Sequence, residues 1–221
     1  MSHRIRLVAV LGILGIVAAM SALPAALPAV SAETGPFAFK APPVGMVLIY
    51  NDGFEVAFGQ TKGRITEALA GPKSAPRASH MEIEDTFMIR RIKRGKRVLT
   101  IKNAVDEPGL WPIVLGATRR YRSEVRIDGK PRQKQEAVAR FAKTVSKLTI
   151  AGKKRRVVQV DIDIRWTSTR GKKGRAGLTY FHDLDLGYYV KRSYTRYGAE
   201  GRPRTPVIRE LARIKPAKKT P

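Results

Sequence analysis

Acid–base or metal chemistry in this chain would have to be built from three histidines and eighteen carboxylates. His3 stands near the N-terminus, which leaves two clusters. His182 lies beside Asp183 and Asp185, and His80 precedes Glu82, Glu84 and Asp85. Either cluster could offer nitrogen and oxygen ligands to a metal, or a general base with an orienting carboxylate. A metal wants three or four convergent ligands, and neither spacing matches a motif that would enforce convergence. Asp183 and Asp185 are equally accounted for as turn residues between Tyr180-Phe181 and Tyr188-Tyr189. No Gly-x-Ser-x-Gly elbow occurs, and without cysteine there is no thiol nucleophile. The run Gly171-Lys172-Lys173-Gly174-Arg175-Ala176-Gly177 is rich in glycine and charge. It lacks the preceding strand and following helix of a phosphate loop, so it reads as a basic hairpin tip. No catalytic residue, metal ligand or cofactor is assigned; His182, Asp183 and Asp185 are the only metal candidates carried forward.

The basic residues give a stronger signal. The 221-residue chain holds 43 Lys and Arg against 18 Asp and Glu, a formal charge of +25. They cluster: Arg90-Arg91, Lys93-Arg94 and Lys96-Arg97, then Arg119-Arg120 with Arg122, Lys153-Lys154-Arg155-Arg156, Arg170 through Lys172, Lys173 and Arg175, and Lys191-Arg192. Most fall at expected turns or on the polar positions of strands. Gathered on one edge of a sheet, Arg94, Lys96, Arg97, Arg119, Arg120, Arg122, Lys153, Lys154, Arg155, Arg156, Lys172, Lys173 and Arg175 would form an anion-binding surface. Scattered, they only keep the protein soluble.

Which polyanion such a surface meets depends on the compartment. Arg4 and Arg6 precede a charge-free apolar run from Leu7, and Val30-Ser31-Ala32 ends it on small residues. That is the layout of a secretory signal helix over 1–32. An uncleaved anchor is the alternative, since roughly 20 apolar residues can span a bilayer. Pro24 and Pro28 interrupt the run, and no basic stop-transfer follows it, so cleavage after Ala32 is expected. Export places the chain in the periplasm or beyond, and without cysteine it has neither a lipid anchor site nor disulfides. The expected partner is an anionic envelope component: lipopolysaccharide, anionic lipid or a cell-wall polymer. Nucleic acid ranks behind these, and oligomeric state is open.

The elements that would position these charges are strands. Glu33–Val44, with Pro36, Pro42 and Pro43, reads as an extended leader. Met46–Tyr50 and Phe54–Gly59 flank an Asn51-Asp52-Gly53 turn. Phe87–Lys93 and Arg97–Lys102 flank Arg94-Gly95, and alternation from Arg120 to Ile127 ends in Asp128-Gly129. Val158–Trp166 carries five apolar residues on one face and Gln159, Asp161, Asp163 and Arg165 on the other. Leu178–Phe181, Tyr188–Tyr194 and Val207–Ile214 are further strands. Gln133–Leu148 is ambiguous, because Val138, Phe141, Ala142, Val145 and Leu148 recur at helical spacing. Lys215–Pro221 reads as a disordered tail.

Four segments carry a resemblance. They are Gly45–Tyr50, Leu110-Trp111-Pro112-Ile113-Val114-Leu115-Gly116, Thr149–Val158 with its Ala151-Gly152 step, and Leu178–Arg192. Together they are similar to exported bacterial β-proteins of uncharacterised function, shaped like lipoprotein-carrier half-barrels. Phe181 and Asp185 depart from the pattern, where Tyr and Pro are usual. The resemblance implies strand for Gln133–Leu148 and supplies no catalytic residue. The expected fold is thus mainly β: one domain over 45–214, an antiparallel sheet curved into a half-barrel or sandwich. The expected function is a non-enzymatic binding or structural protein of the envelope, with an apolar ligand conceivable on its concave face. A hydrolase or metal-dependent enzyme acting on an envelope polymer is the alternative.

Overall fold

In the computed structural model, residues 33–72, 78–104, 110–198 and 201–217 are described. The expected signal helix, and the end of the tail from 218, lie outside them. Among the described residues thirteen strands follow one another: β1 (Val47–Tyr50), β2 (Phe54–Lys62), β3 (Ile65–Pro72), β4 (Ser79–Glu84), β5 (Met88–Arg94), β6 (Arg97–Ala104) and β7 (Thr118–Ile127). β8 (Lys130–Phe141), β9 (Ser146–Ile150), β10 (Lys153–Ser168), β11 (Lys173–Asp183), β12 (Tyr188–Arg196) and β13 (Val207–Lys215) complete the chain. All the pairings are antiparallel, and no helix occurs among the described residues.

The sheet closes. β11 pairs with β12 on one side and with β10 on the other, so β1–β8 and β10–β13 form a ring of twelve. The half-barrel or sandwich expectation is therefore corrected to a closed barrel. Closure satisfies the backbone groups that an open sheet would leave bare at its edges. The short β9 lies beside the first residues of β10, where β8 has not yet begun to pair.

Alternation sets the two faces. Val158, Val160 and Ile162 of β10 point inward and are buried, while Gln159, Asp161 and Asp163 face out. Gln133–Leu148 is strand, broken only at 142–145. Ala137, Ala139 and Phe141 point inward, and Val138 of the helical-looking stripe faces out. The expected Asp128-Gly129 turn carries positive φ at both residues (51° and 78°), and Ala151-Gly152 does the same (51° and 72°), although alanine pays for that conformation. The tail expectation is corrected at its start, because Lys215 is in β13 and pairs with Val47.

The two ends of the barrel differ. At one end, Phe87, Leu110, Trp111, Ile113 and Leu184 are buried and plug the interior. Phe37 of the leader bridges to Ile113, which adds a layer outside the plug. At the other end lie the turns 51–53, 95–96, 128–129 and 169–172, together with the β12–β13 connection.

Candidate functional site

Antiparallel order sends every second connection to the same rim, and here that rim collects the basic tips. Arg94, Lys96 and Arg97 at the β5–β6 turn, Lys130 after Asp128-Gly129, and Lys172 and Lys173 at the β10–β11 turn are all exposed. Arg175 joins them, held by Asp163 at 2.8 Å and stacked over Tyr197 at 4.5 Å. Val207 and Ile208 open β13 at this rim and are 57% and 51% exposed. Cations and exposed apolar side chains thus share the open end.

Other expected members of the anion surface lie elsewhere. Lys153 and Lys154 are exposed on the β9–β10 hairpin at the plugged end. Arg155 is buried and ion-paired to Asp183 at 2.9 Å, and it also donates to the Ile150 carbonyl. Arg156 is taken by Glu33 at 2.6 Å and Asp185 at 3.3 Å. Arg120 and Arg122 project from the outer wall of β7, the latter 3.7 Å from Glu136. Arg119 turns inward opposite Ala139, with its Nε buried and without a partner.

The structure does not bring His182, Asp183 and Asp185 together. His182 points into the barrel between Phe87 (centroids 4.6 Å) and Trp111 (5.2 Å), and neither ring nitrogen has a partner. Burial pushes its pKa down to about 3, so the ring is a neutral part of the plug. Asp183 faces the other way. Beyond its ion pair, it accepts the Asp185 and Leu186 amides at 2.8 and 3.0 Å and so fixes the β11–β12 turn. Asp185 is exposed. Among the described residues, no group of three His, Asp or Glu is placed to hold a metal.

The second cluster divides as well. His80 and Glu82 face outward on β4 and line a groove of about 940 Å³ across the outer wall with Glu67, Leu69, Arg91 and Lys93. Asp85 instead lies in the plug, ion-paired with Arg64. It accepts the Leu110 amide at 2.9 Å, while its carbonyl accepts the Trp111 indole N–H at 2.8 Å. Burial raises its pKa, against the opposing pull of the Leu110 amide and Arg64. Its work is structural: it ties 110–111 across the end of the barrel.

Sequence reasoning passed over the inner wall. Arg192 pairs across the sheet with Tyr180 and Arg209, so all three face inward. The Arg192 guanidinium lies 5.7 Å from the Tyr189 ring, and its buried Nε has no partner. Arg209 stacks on Phe54 at 3.6 Å and is matched by Asp52 at 2.8 Å. The surrounding phenols stay neutral: burial pushes Tyr180 up to about 12, and raises Tyr50 and Tyr188 as well. The available signal was parity, since Arg192 shares a face of β12 with Tyr194 and Arg196.

No family model and no curated protein matches the chain. Solved structures similar in shape include the following three. The hypothetical lipoprotein YmcC of Escherichia coli K12 is 18% identical, with TM-score 0.45 over 78% of this chain and 83% of that one. A candidate exported protein with a YmcC-like fold from Bacteroides fragilis is 10% identical, with TM-score 0.43 over 81% and 100%. A candidate lipoprotein from Parabacteroides distasonis is 9% identical, with TM-score 0.42 over 82% and 99%. At these scores nothing about this chain's function is drawn from the likeness.

Proposed function

We propose that the protein is a non-enzymatic, extracytoplasmic binding protein whose basic rim engages an anionic amphiphile of the cell envelope, such as lipopolysaccharide or an anionic lipid. The observation that carries this is the gathering of Arg94, Lys96, Arg97, Lys130, Lys172 and Lys173 at one end of the barrel. A rim of one sign concentrates counter-ions and steers a polyanion to that end. The exposed Val207 and Ile208 at the same rim favour a partner with apolar as well as anionic surface, over a purely hydrophilic wall polymer.

The test is cosedimentation with phosphatidylglycerol vesicles, phosphatidylcholine vesicles and lipopolysaccharide at low and high salt. A Lys96→Ser/Lys130→Ser/Lys172→Ser/Lys173→Ser variant is compared with Lys153→Ser/Lys154→Ser at the opposite end. Each Lys near an anionic surface contributes about 1 kcal/mol, so the rim variant should bind roughly 10²- to 10³-fold more weakly. The opposite-end variant should lose far less. Equal losses in the two variants, or binding that ignores salt, would overturn the proposal.

A further inference from the structure

The barrel interior carries positive charge that nothing described inside it neutralises. Arg119 and Arg192 turn inward with buried, unpartnered Nε atoms. Among the described residues, no Asp or Glu occupies an inward position on the barrel strands. Arg209 has its carboxylate in Asp52 at the rim, but Arg192, its cross-strand partner, has none. The tyrosines around Arg192 are held in the neutral phenol form by burial. A partly buried guanidinium with no facing carboxylate keeps donors available to an anion.

The same space is partly open to solvent. Leu99, Ile101, Leu178 and Arg192 face inward yet are only partly buried, in contrast to the sealed plug at the other end. Eight strands already enclose an interior that side chains just fill or that holds one small ligand, and this ring has twelve. Leu178 lies on the strand next to Arg192, and Leu99 and Ile101 line the facing wall on β6, five strands round the ring.

We infer that the open half of the barrel is a binding site for a single-chain amphiphile with an anionic head, with the head on Arg192 and the acyl chain along Leu99, Ile101 and Leu178. This site lies inside the barrel, separate from the rim charges. A carboxylate and a phosphate head share the required chemistry, because both accept charge-assisted hydrogen bonds from a guanidinium.

Titration calorimetry of the purified full chain with dodecanoate, dodecyl phosphate and dodecanol tests it. At least one anion should bind about tenfold or more tighter than dodecanol, as a hydrogen bond to a charged group implies. The tighter anion identifies the head. Arg192→Met should abolish that preference, Arg192→Lys should keep part of it, and Leu99→Trp should weaken the acyl anions while leaving the fold intact by circular dichroism. The rim lysine variant should bind these monomers as the parent does, which separates this site from the rim. Dodecanol binding as tightly as both anions, absence of binding by all three, or an unchanged anion preference in Arg192→Met would overturn it.

Discussion

His182 and Asp183 are adjacent in the chain but serve opposite faces of β11. His182 lies inside the plug among aromatic rings, and Asp183 is ion-paired with Arg155 on the other side. A strand's period of two separates neighbours in this way. The arrangement turns what looks in sequence like a ligand pair into two independent structural devices, each with its own consequence.

The Arg155–Asp183 pair is nearly free of solvent, with side chains 8% and 1% exposed. Removing one member strands the other charge. Arg155→Met or Asp183→Leu alone should each cost about 3–5 kcal/mol, read from the urea unfolding midpoint. The double variant should recover much of the Arg155→Met loss. The recovery should stop short, because Asp183 also holds the amides of Asp185 and Leu186.

His182 gives the fold a pH dependence of known sign. Its folded pKa, about 3, lies below the unfolded value of 6.5, so the unfolded chain binds the extra proton between them. Its contribution is complete above pH 6.5. It is lost as pH falls, at about 1.4 kcal/mol per pH unit between pH 6 and 4. Carboxylates titrate in the lower part of that window. The readout is therefore the difference between the parent and His182→Leu, followed by urea unfolding from pH 7 to 5. The parent should lose stability more steeply than the variant, and parallel curves would refute the assignment.

Local chemistry made most of the strands legible. Asp128-Gly129 announced its turn because few other residue pairs accept positive φ. The ambiguity at Gln133–Leu148 arose because the inward residues Ala137 and Ala139 are small, which left the outward Val138 to pair by eye with Phe141 at helical spacing. Closure was not legible. It depends on β11 meeting β10 and β12 at once, and neither pairing is stronger in sequence than one at an open edge. The rim was legible as charge but not as a place: antiparallel order puts 95–96, 128–129 and 169–172 on one edge, and closure bends that edge into a ring. Arg192 was missed because a basic pair, Lys191-Arg192, looks like surface until parity assigns one of the two inward.

Asp85 should behave as the tie for the plug. Asp85→Ala leaves the Leu110 amide without its acceptor and Arg64 without its carboxylate, and should cost about 1–3 kcal/mol. Asp85→Asn keeps an oxygen for the amide and should cost less. In Asp85→Ala, hydrogen exchange at 110–113 should rise more than at β10, whose Val158 and Val160 belong to the central core. Uniform acceleration would mean that the plug and the barrel open together.

Gly187 carries the contact between the leader and the barrel. Its φ is +70°, and a Cβ placed there would collide with the Lys40 carbonyl. Gly129 has a similar φ of +78° with nothing nearby, so the two glycines separate backbone strain from crowding. Gly129→Ala should cost about 1–2 kcal/mol, the strain of a left-handed residue bearing a side chain. Gly187→Ala should cost more, and the excess should come from displacing 39–41, where Phe39 packs edge-on against Trp111 at 5.7 Å. The measurable sign is selective proteolysis of the leader in Gly187→Ala while β-sheet circular dichroism is retained. Equal penalties at the two glycines, with the leader still protected, would show that the Lys40 contact contributes nothing.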